Sequence, residues 1–132
     1  MDLYGHNPYT TRRPDLAKEP IVAGSADFSD LDTLAGWIDD DLRPDLPIFI
    51  SEFTLPTDQP NYVLNVHVDR QTQAQWLDAA LDIAHSSDRI HTLGWFQLRD
   101  QPPNARGDQA NWGLIDDERR RKPAFDVFAR AE

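Results

Sequence analysis

Three short β-rich runs alternate with three stretches of helical periodicity, and a long loop follows each run. The first run is Asp2–Gly5, followed by a proline-containing loop to about Ser25. Asp30–Leu42 then repeats apolar side chains at helical spacing (Leu31, Leu34, Ala35, Ile38, Leu42), with Ser29 or Asp30 placed to cap the helix. Pro47–Ser51 is apolar and β-rich, the composition of a buried strand. Residues 54–68 form the second loop, and connections of that length are often functional. Asp69 is placed to cap a second helix reaching about Ser86, with Trp76, Leu77, Ala80, Leu81 and Ala84 as its apolar face. Thr92–Leu98 reads as the third strand, Arg99–Asn111 as the third loop, and Pro123 as the first turn of a last helix. This alternation predicts an α/β fold: about three β/α units with a parallel sheet, residues 1–132 forming one segment.

Composition removes several classes of function. A formal charge of −10 repels phosphate backbones and anionic lipid surfaces, so neither nucleic acid nor membrane is an expected partner. The absence of cysteine removes disulfides, zinc–thiolate sites and thiol nucleophiles. No apolar run approaches the roughly 20 residues needed to cross a bilayer. The N-terminus shows neither the basic nor the apolar region of a secretory signal, which makes the cytoplasm the default expectation. His67, His85 and His91 lack metal-ligand spacing, Asp39-Asp-Asp41 lacks the pattern of a calcium loop, and the six glycines form no phosphate cradle. No metal or cofactor is therefore expected. Glu118-Arg-Arg-Arg-Lys122 reads as a solvated turn, and Trp37 and Trp76 as core packing.

One residue carries the chemistry. In Ile48-Phe-Ile-Ser-Glu52 the period of two places Ile48, Ile50 and Glu52 on one face, so the strand ends on a carboxylate. The C-terminal ends of parallel strands form the active-site rim of β/α folds. Glu52 is then a candidate nucleophile, base or ligand; the plainer alternative is a solvated glutamate beginning a loop. Parallel strands would gather His6, Asn7, Tyr9, Glu52, Trp95 and Asp100 at that rim. A carboxylate among aromatic and hydrogen-bonding groups suits a sugar, whose ring faces stack on Trp or Tyr while its hydroxyls need polar partners. Trp95 fits core packing equally well.

Five segments in order carry a resemblance. Asp2-Leu-Tyr-Gly-His-Asn-Pro-Tyr9, Pro47-Ile-Phe-Ile-Ser-Glu-Phe53, Leu93-Gly-Trp-Phe-Gln-Leu-Arg-Asp100, Asn111-Trp-Gly-Leu-Ile-Asp116 and Arg121-Lys-Pro-Ala-Phe125 resemble the C-terminal part of clan A retaining glycoside hydrolases. The resemblance implies a partial (β/α)8 TIM barrel in which the three strands are the sixth, seventh and eighth. It implies that Glu52 is the nucleophile acting on a carbohydrate, that Trp95 is the platform beneath the sugar, and that His6 and Tyr9 belong to the substrate rim. It also implies a non-proline cis peptide at Trp95–Phe96, and structural roles for the Trp112 and Lys122 segments.

Retaining hydrolysis needs a second carboxyl group roughly 5–5.5 Å from the first. The family takes this acid/base from an Asn-Glu pair on strand four, and no Asn-Glu occurs here; the other glutamates are Glu19, Glu118 and Glu132. The chain is accordingly expected to be a fragment whose partner is a missing N-terminal half-barrel or a second copy of itself. Ile48 and Ile50 are expected to face the open side of that half-made barrel. The alternatives are a carbohydrate-binding or accessory module without the chemistry, and an inactive truncated piece.

Overall fold

The apolar run begins at Ile48 and extends to Phe53 as the central strand, β2, of a three-stranded parallel sheet. The computed structural model describes residues 2–18, 22–60 and 65–131; Glu19, Glu132 and residues 61–64 of the second loop lie outside the described residues. Strand β1, Tyr4–His6, pairs with β2 in parallel, Tyr4 opposite Ile48 and His6 opposite Ile50. Strand β3, Ile90–Trp95, completes the order β1-β2-β3. The helices are α1 (Leu31–Asp41), α2 (Arg70–Ser86) and α3 (Pro123–Ala129). The α/β class and the parallel sheet are as expected. None of the described helices is long and apolar enough to cross a membrane.

The chain divides into two compact units, Met1–Phe53 with Ala79–Gly94, and Thr54–Asp78 with Trp95–Glu132. In the first, Phe28, Leu31, Leu34, Ile38, Leu46, Ile48, Ile50 and Phe53 are all buried. Ile48 and Ile50 therefore do not face an open side. They are 1% and 0% exposed, and it is Phe49, opposite Gly5 on the other face of the sheet, that stands 36% exposed. The isoleucines share their face with Tyr4 and His6, and burying two branched side chains is worth about 1.5–3 kcal/mol each. Trp37, expected in the core, is 37% exposed because it lies off the Leu31–Leu34–Ala35–Ile38 stripe of α1. Gly94 on β3 leaves no room for a side chain, since a Cβ there would lie 2.9 Å from the Ser51 carbonyl oxygen.

A 3-10 turn over Phe28–Asp30 leads into α1, and Asp30, at the cap position of the helix as expected, makes no side-chain capping bond to it. The side-chain cap belongs to the turn: Asp27 accepts the Ser29 N–H at 2.7 Å, and Asp30 returns the bond by accepting the Asp27 N–H at 3.1 Å. Arg12 clamps both carboxylates, 2.9 Å from Asp27 and 3.1 Å from Asp30. Arg89 pairs with Asp39 at 2.8 Å.

In the second unit Asp69 caps α2 as expected, accepting the Thr72 N–H at 2.8 Å. Leu55, Leu77, Trp112, Leu114 and Ala124 are buried. Asp116, 1% exposed, receives Arg70 at 3.0 Å and Arg120 at 2.9 Å. The loop after β3 is pinned at its base, where Asp100 N–H donates to Ile115 at 2.8 Å and Gln101 N–H to Ala110 at 3.2 Å. Its tip turns through Gly107 at φ +82°, a left-handed conformation that glycine adopts without strain. The basic run departs from expectation at one residue: Arg119, Arg120 and Arg121 are exposed, but Lys122 is 1% exposed. The cis peptide lies at Phe96–Gln97, one bond beyond the expected Trp95–Phe96.

Candidate functional site

The parallel register sets what lies beside the end of β2. With His6 opposite Ile50, the next residue of the chain, Asn7, comes level with Ser51. The Ser51 hydroxyl donates to Asn7 Oδ1. The chain then turns tightly, Tyr9 N–H donating to the Asn7 carbonyl at 2.9 Å across buried Pro8. This turn carries the Tyr9 ring back toward the strand, and its hydroxyl donates to Glu52 Oε2. His6, half-buried, donates from Nε2 to the Ala26 carbonyl oxygen at 2.9 Å and stacks near Tyr4 with ring centroids 6.4 Å apart.

Glu52 is half-buried at this strand end. The burial pattern changes phase here: after Ile48 and Ile50, the next fully buried side chain is Phe53, not Glu52. The reason is energetic. Phe53 sets its ring 4.6 Å from that of Phe28, a contact worth about 0.5–1.5 kcal/mol beyond burial, whereas an enclosed carboxylate would need full compensation. Glu52 therefore keeps partial access to solvent while one oxygen is held by a phenol. Tyr9 records the pairing from its side. Burial, and then the bond and the charge of Glu52, push its hydroxyl up to about 12. At neutral pH it stays protonated and is a fixed hydrogen-bond donor.

The second unit holds Trp95 and Asp100. The Trp95 indole N–H donates to the Trp112 carbonyl at 3.0 Å, and the Thr54 hydroxyl donates to the same oxygen at 3.3 Å. The ring is half-buried. Asp100 is enclosed, its side chain 2% exposed, with Lys122 Nζ 2.8 Å from Oδ2 and the Gly113 N–H 2.6 Å from Oδ1. Lys122 also donates to Thr57 Oγ1 at 2.9 Å and to the Asn111 carbonyl at 3.1 Å. Burial raises the Asp100 carboxyl and lowers the Lys122 ammonium, so desolvation opposes both charges while each offsets it for the other.

The structure thus brings Asn7 and Tyr9 to Ser51 and Glu52, and encloses Asp100 away from solvent. Ser51, Gly113 and Lys122 were not singled out as site residues from sequence. Ser51 was accessible to the same reasoning, since it precedes Glu52 on the strand. Lys122 was not, because its partners lie 22 and 65 residues away. No group of three or more potential metal ligands occurs among the described residues.

No protein-family model and no curated protein sequence matches the chain. Solved structures do. A GH2 β-galacturonidase from Eisenbergiella tayi bound to glycerol superposes with a TM-score of 0.71 at 19% identity, over 98% of this chain and 23% of that one. The fold is shared with glycoside hydrolases. A β-glucuronidase from Faecalibacterium prausnitzii gives a TM-score of 0.59 at 15% identity, over 98% of this chain and 21% of that one. A β-glucuronidase from Ruminococcus gnavus gives 0.59 at 18%, over 96% and 21%. The chain spans less than a quarter of the length of these structures, and it resembles a part of GH2 glycosidases.

Proposed function

We propose that this chain is the nucleophile-bearing part of a retaining glycoside hydrolase, its three strands corresponding to the sixth to eighth of an eight-stranded β/α barrel. The observation that carries the reading is the carboxylate of Glu52 at the C-terminal end of a parallel strand, held by the Tyr9 hydroxyl, in a fold shared with GH2 enzymes. In this reading Glu52 attacks the anomeric carbon as the bond to the leaving oxygen breaks, and a carboxylic acid on another segment protonates that oxygen. Water, deprotonated by the same acid/base, then releases the sugar and restores Glu52. Tyr9 orients the attacking carboxylate through a bond it can keep at neutral pH. Asn7 offers its exposed amide to sugar hydroxyls, His6 supports the rim, and Trp95 stacks on the sugar ring. Asp100, enclosed by Lys122 and Gly113, is left out of the sugar-binding set. The neighbouring structures are named as β-galacturonidases and β-glucuronidases, and a uronide is the first substrate class to test.

The test supplies the missing strands. The chain is co-expressed with a polypeptide carrying the preceding β/α units of the Eisenbergiella tayi β-galacturonidase, and aryl galacturonide hydrolysis is measured. Turnover that appears only with both pieces, and vanishes in Glu52→Gln while the two still co-purify, supports the proposal. Turnover that survives Glu52→Gln overturns it. Full turnover by the purified chain alone overturns the incomplete-barrel part of it. A second reading is a module that binds carbohydrate without cleaving it; galacturonate binding with no hydrolysis in either arrangement selects that reading.

A further inference from the structure

The enclosed Asp100 and the half-buried Trp95 meet at the two ends of one peptide unit. The Trp112–Gly113 amide presents its N–H to Asp100 Oδ1 at 2.6 Å, and its carbonyl oxygen to the Trp95 indole N–H at 3.0 Å and the Thr54 hydroxyl at 3.3 Å. A peptide is planar and its N–H and C=O point in opposite directions, so fixing one end aims the other. Asp100 is itself fixed by Lys122, at 3.0 Å from Oδ1 and 2.8 Å from Oδ2, in a pair whose side chains are 2% and 0% exposed. Gly113 also packs directly against the backbone at Arg99 and Asp100, since a Cβ there would lie 2.4 Å from the Asp100 backbone nitrogen. A charge-assisted bond on the N–H also polarises the amide and strengthens its carbonyl as an acceptor.

We infer that Lys122 and Asp100 are positioning residues for Trp95, acting through the Trp112–Gly113 peptide to set the plane of the indole. The inference rests on the proposed platform role of Trp95 for its functional meaning, but not for its geometry. It gives Asp100 a place in the site's construction without contact with sugar. Lys122, in a run of otherwise exposed basic residues, becomes the anchor of the arrangement.

The experiment separates positioning from simple structural support. Lys122→Met alone strands a buried carboxylate and is expected to unfold the chain, so two double variants decide the matter. Asp100→Leu with Lys122→Met removes both charges and the acceptor for the Gly113 N–H. Asp100→Asn with Lys122→Met removes both charges but keeps an acceptor oxygen. The readout is the Trp95 contribution to near-ultraviolet circular dichroism, obtained in each background by subtracting the spectrum of its Trp95→Phe version. The expected result is cooperative unfolding in both doubles, loss of the Trp95 band in the leucine double and its recovery in the asparagine double. An unchanged band in the leucine double, or failure of both doubles to fold, overturns the inference and leaves the pair a structural staple. Galacturonate binding by Trp95→Phe itself is measured separately. Unchanged affinity there removes the platform reading and leaves the positioning relationship standing.

Discussion

A phenol beside a carboxylate is the most telling residue-scale feature of this chain. Tyr9 is held protonated by burial, by its bond to Glu52 and by the charge of Glu52, in that order, and its hydroxyl is pushed up to about 12. In the unfolded chain it should ionise near 10. The neutral phenol is favoured by the fold, so the stability it contributes is complete below pH 10 and is lost as pH rises from about 10 to about 12. Spectrophotometric titration at alkaline pH, taken as the difference between the chain and Tyr9→Phe, should show this late phenol. Glu52→Gln should move it back toward 10. A Tyr9 phenol that titrates at 10 in the unmutated chain would dissolve the pairing.

At the scale of elements, the two units each contain a carboxylate cluster that acid should undo. Burial would raise Asp27, but bonds from Arg12, Thr10 and the Ser29 N–H outweigh it and hold the carboxyl below its ordinary value. Burial would likewise raise Asp116, but the Arg120 backbone and the Arg120 and Arg70 guanidinium groups bring it to about 2. Both groups therefore stabilise the fold above their unfolded value of 3.8, and that contribution drains away as pH falls below it, for Asp116 down to about 2. Acid titration followed by circular dichroism should show the loss beginning below about pH 4, and Asp116→Asn should flatten that part of the curve. Removing the cap that starts the α1 segment gives a second expectation. Asp27→Ala should cost about 1–2 kcal/mol in urea unfolding, and Asp27→Asn distinctly less, because the amide oxygen still accepts the Ser29 N–H.

How far these elements were legible follows from where their determinants lie. The core of β2, the cap of α2 at Asp69 and the start of α3 at Pro123 depend on neighbouring residues, and they stand where the pattern put them. Strand β3 was expected over Thr92–Leu98 and runs over Ile90–Trp95, because pairing sets its ends, as in the Ile48 N–H bond to the Arg89 carbonyl at 2.7 Å. Asp30 stands at the cap position of α1 as the pattern put it, but its carboxylate bonds back to the Asp27 N–H, because a 3-10 turn precedes the helix, a tightening that apolar periodicity does not register. At the site, Glu52 could be read from alternation and strand-end position. The enclosure of Asp100 could not, since it depends on a lysine at the far end of the chain.

On the scale of the whole molecule, charge and exposed apolar surface pull against each other. A net charge of −10 keeps copies apart at neutral pH, while Leu3, Trp37, Leu42 and Phe49 are each more than a third exposed. Near pH 4.6, where the net charge vanishes, repulsion goes and the apolar side chains remain. Light scattering should show association there and a single small species above pH 7, with Phe49→Lys reducing the association. The loop after β3 has a further consequence. Its base is tied by Asp100 to Ile115 and by Gln101 to Ala110, whereas 102–108 stand exposed beyond those ties. That tip is a natural graft point. Residues can be inserted there, lengthened or exchanged for a new specificity-giving sequence, without disturbing the framework beneath it.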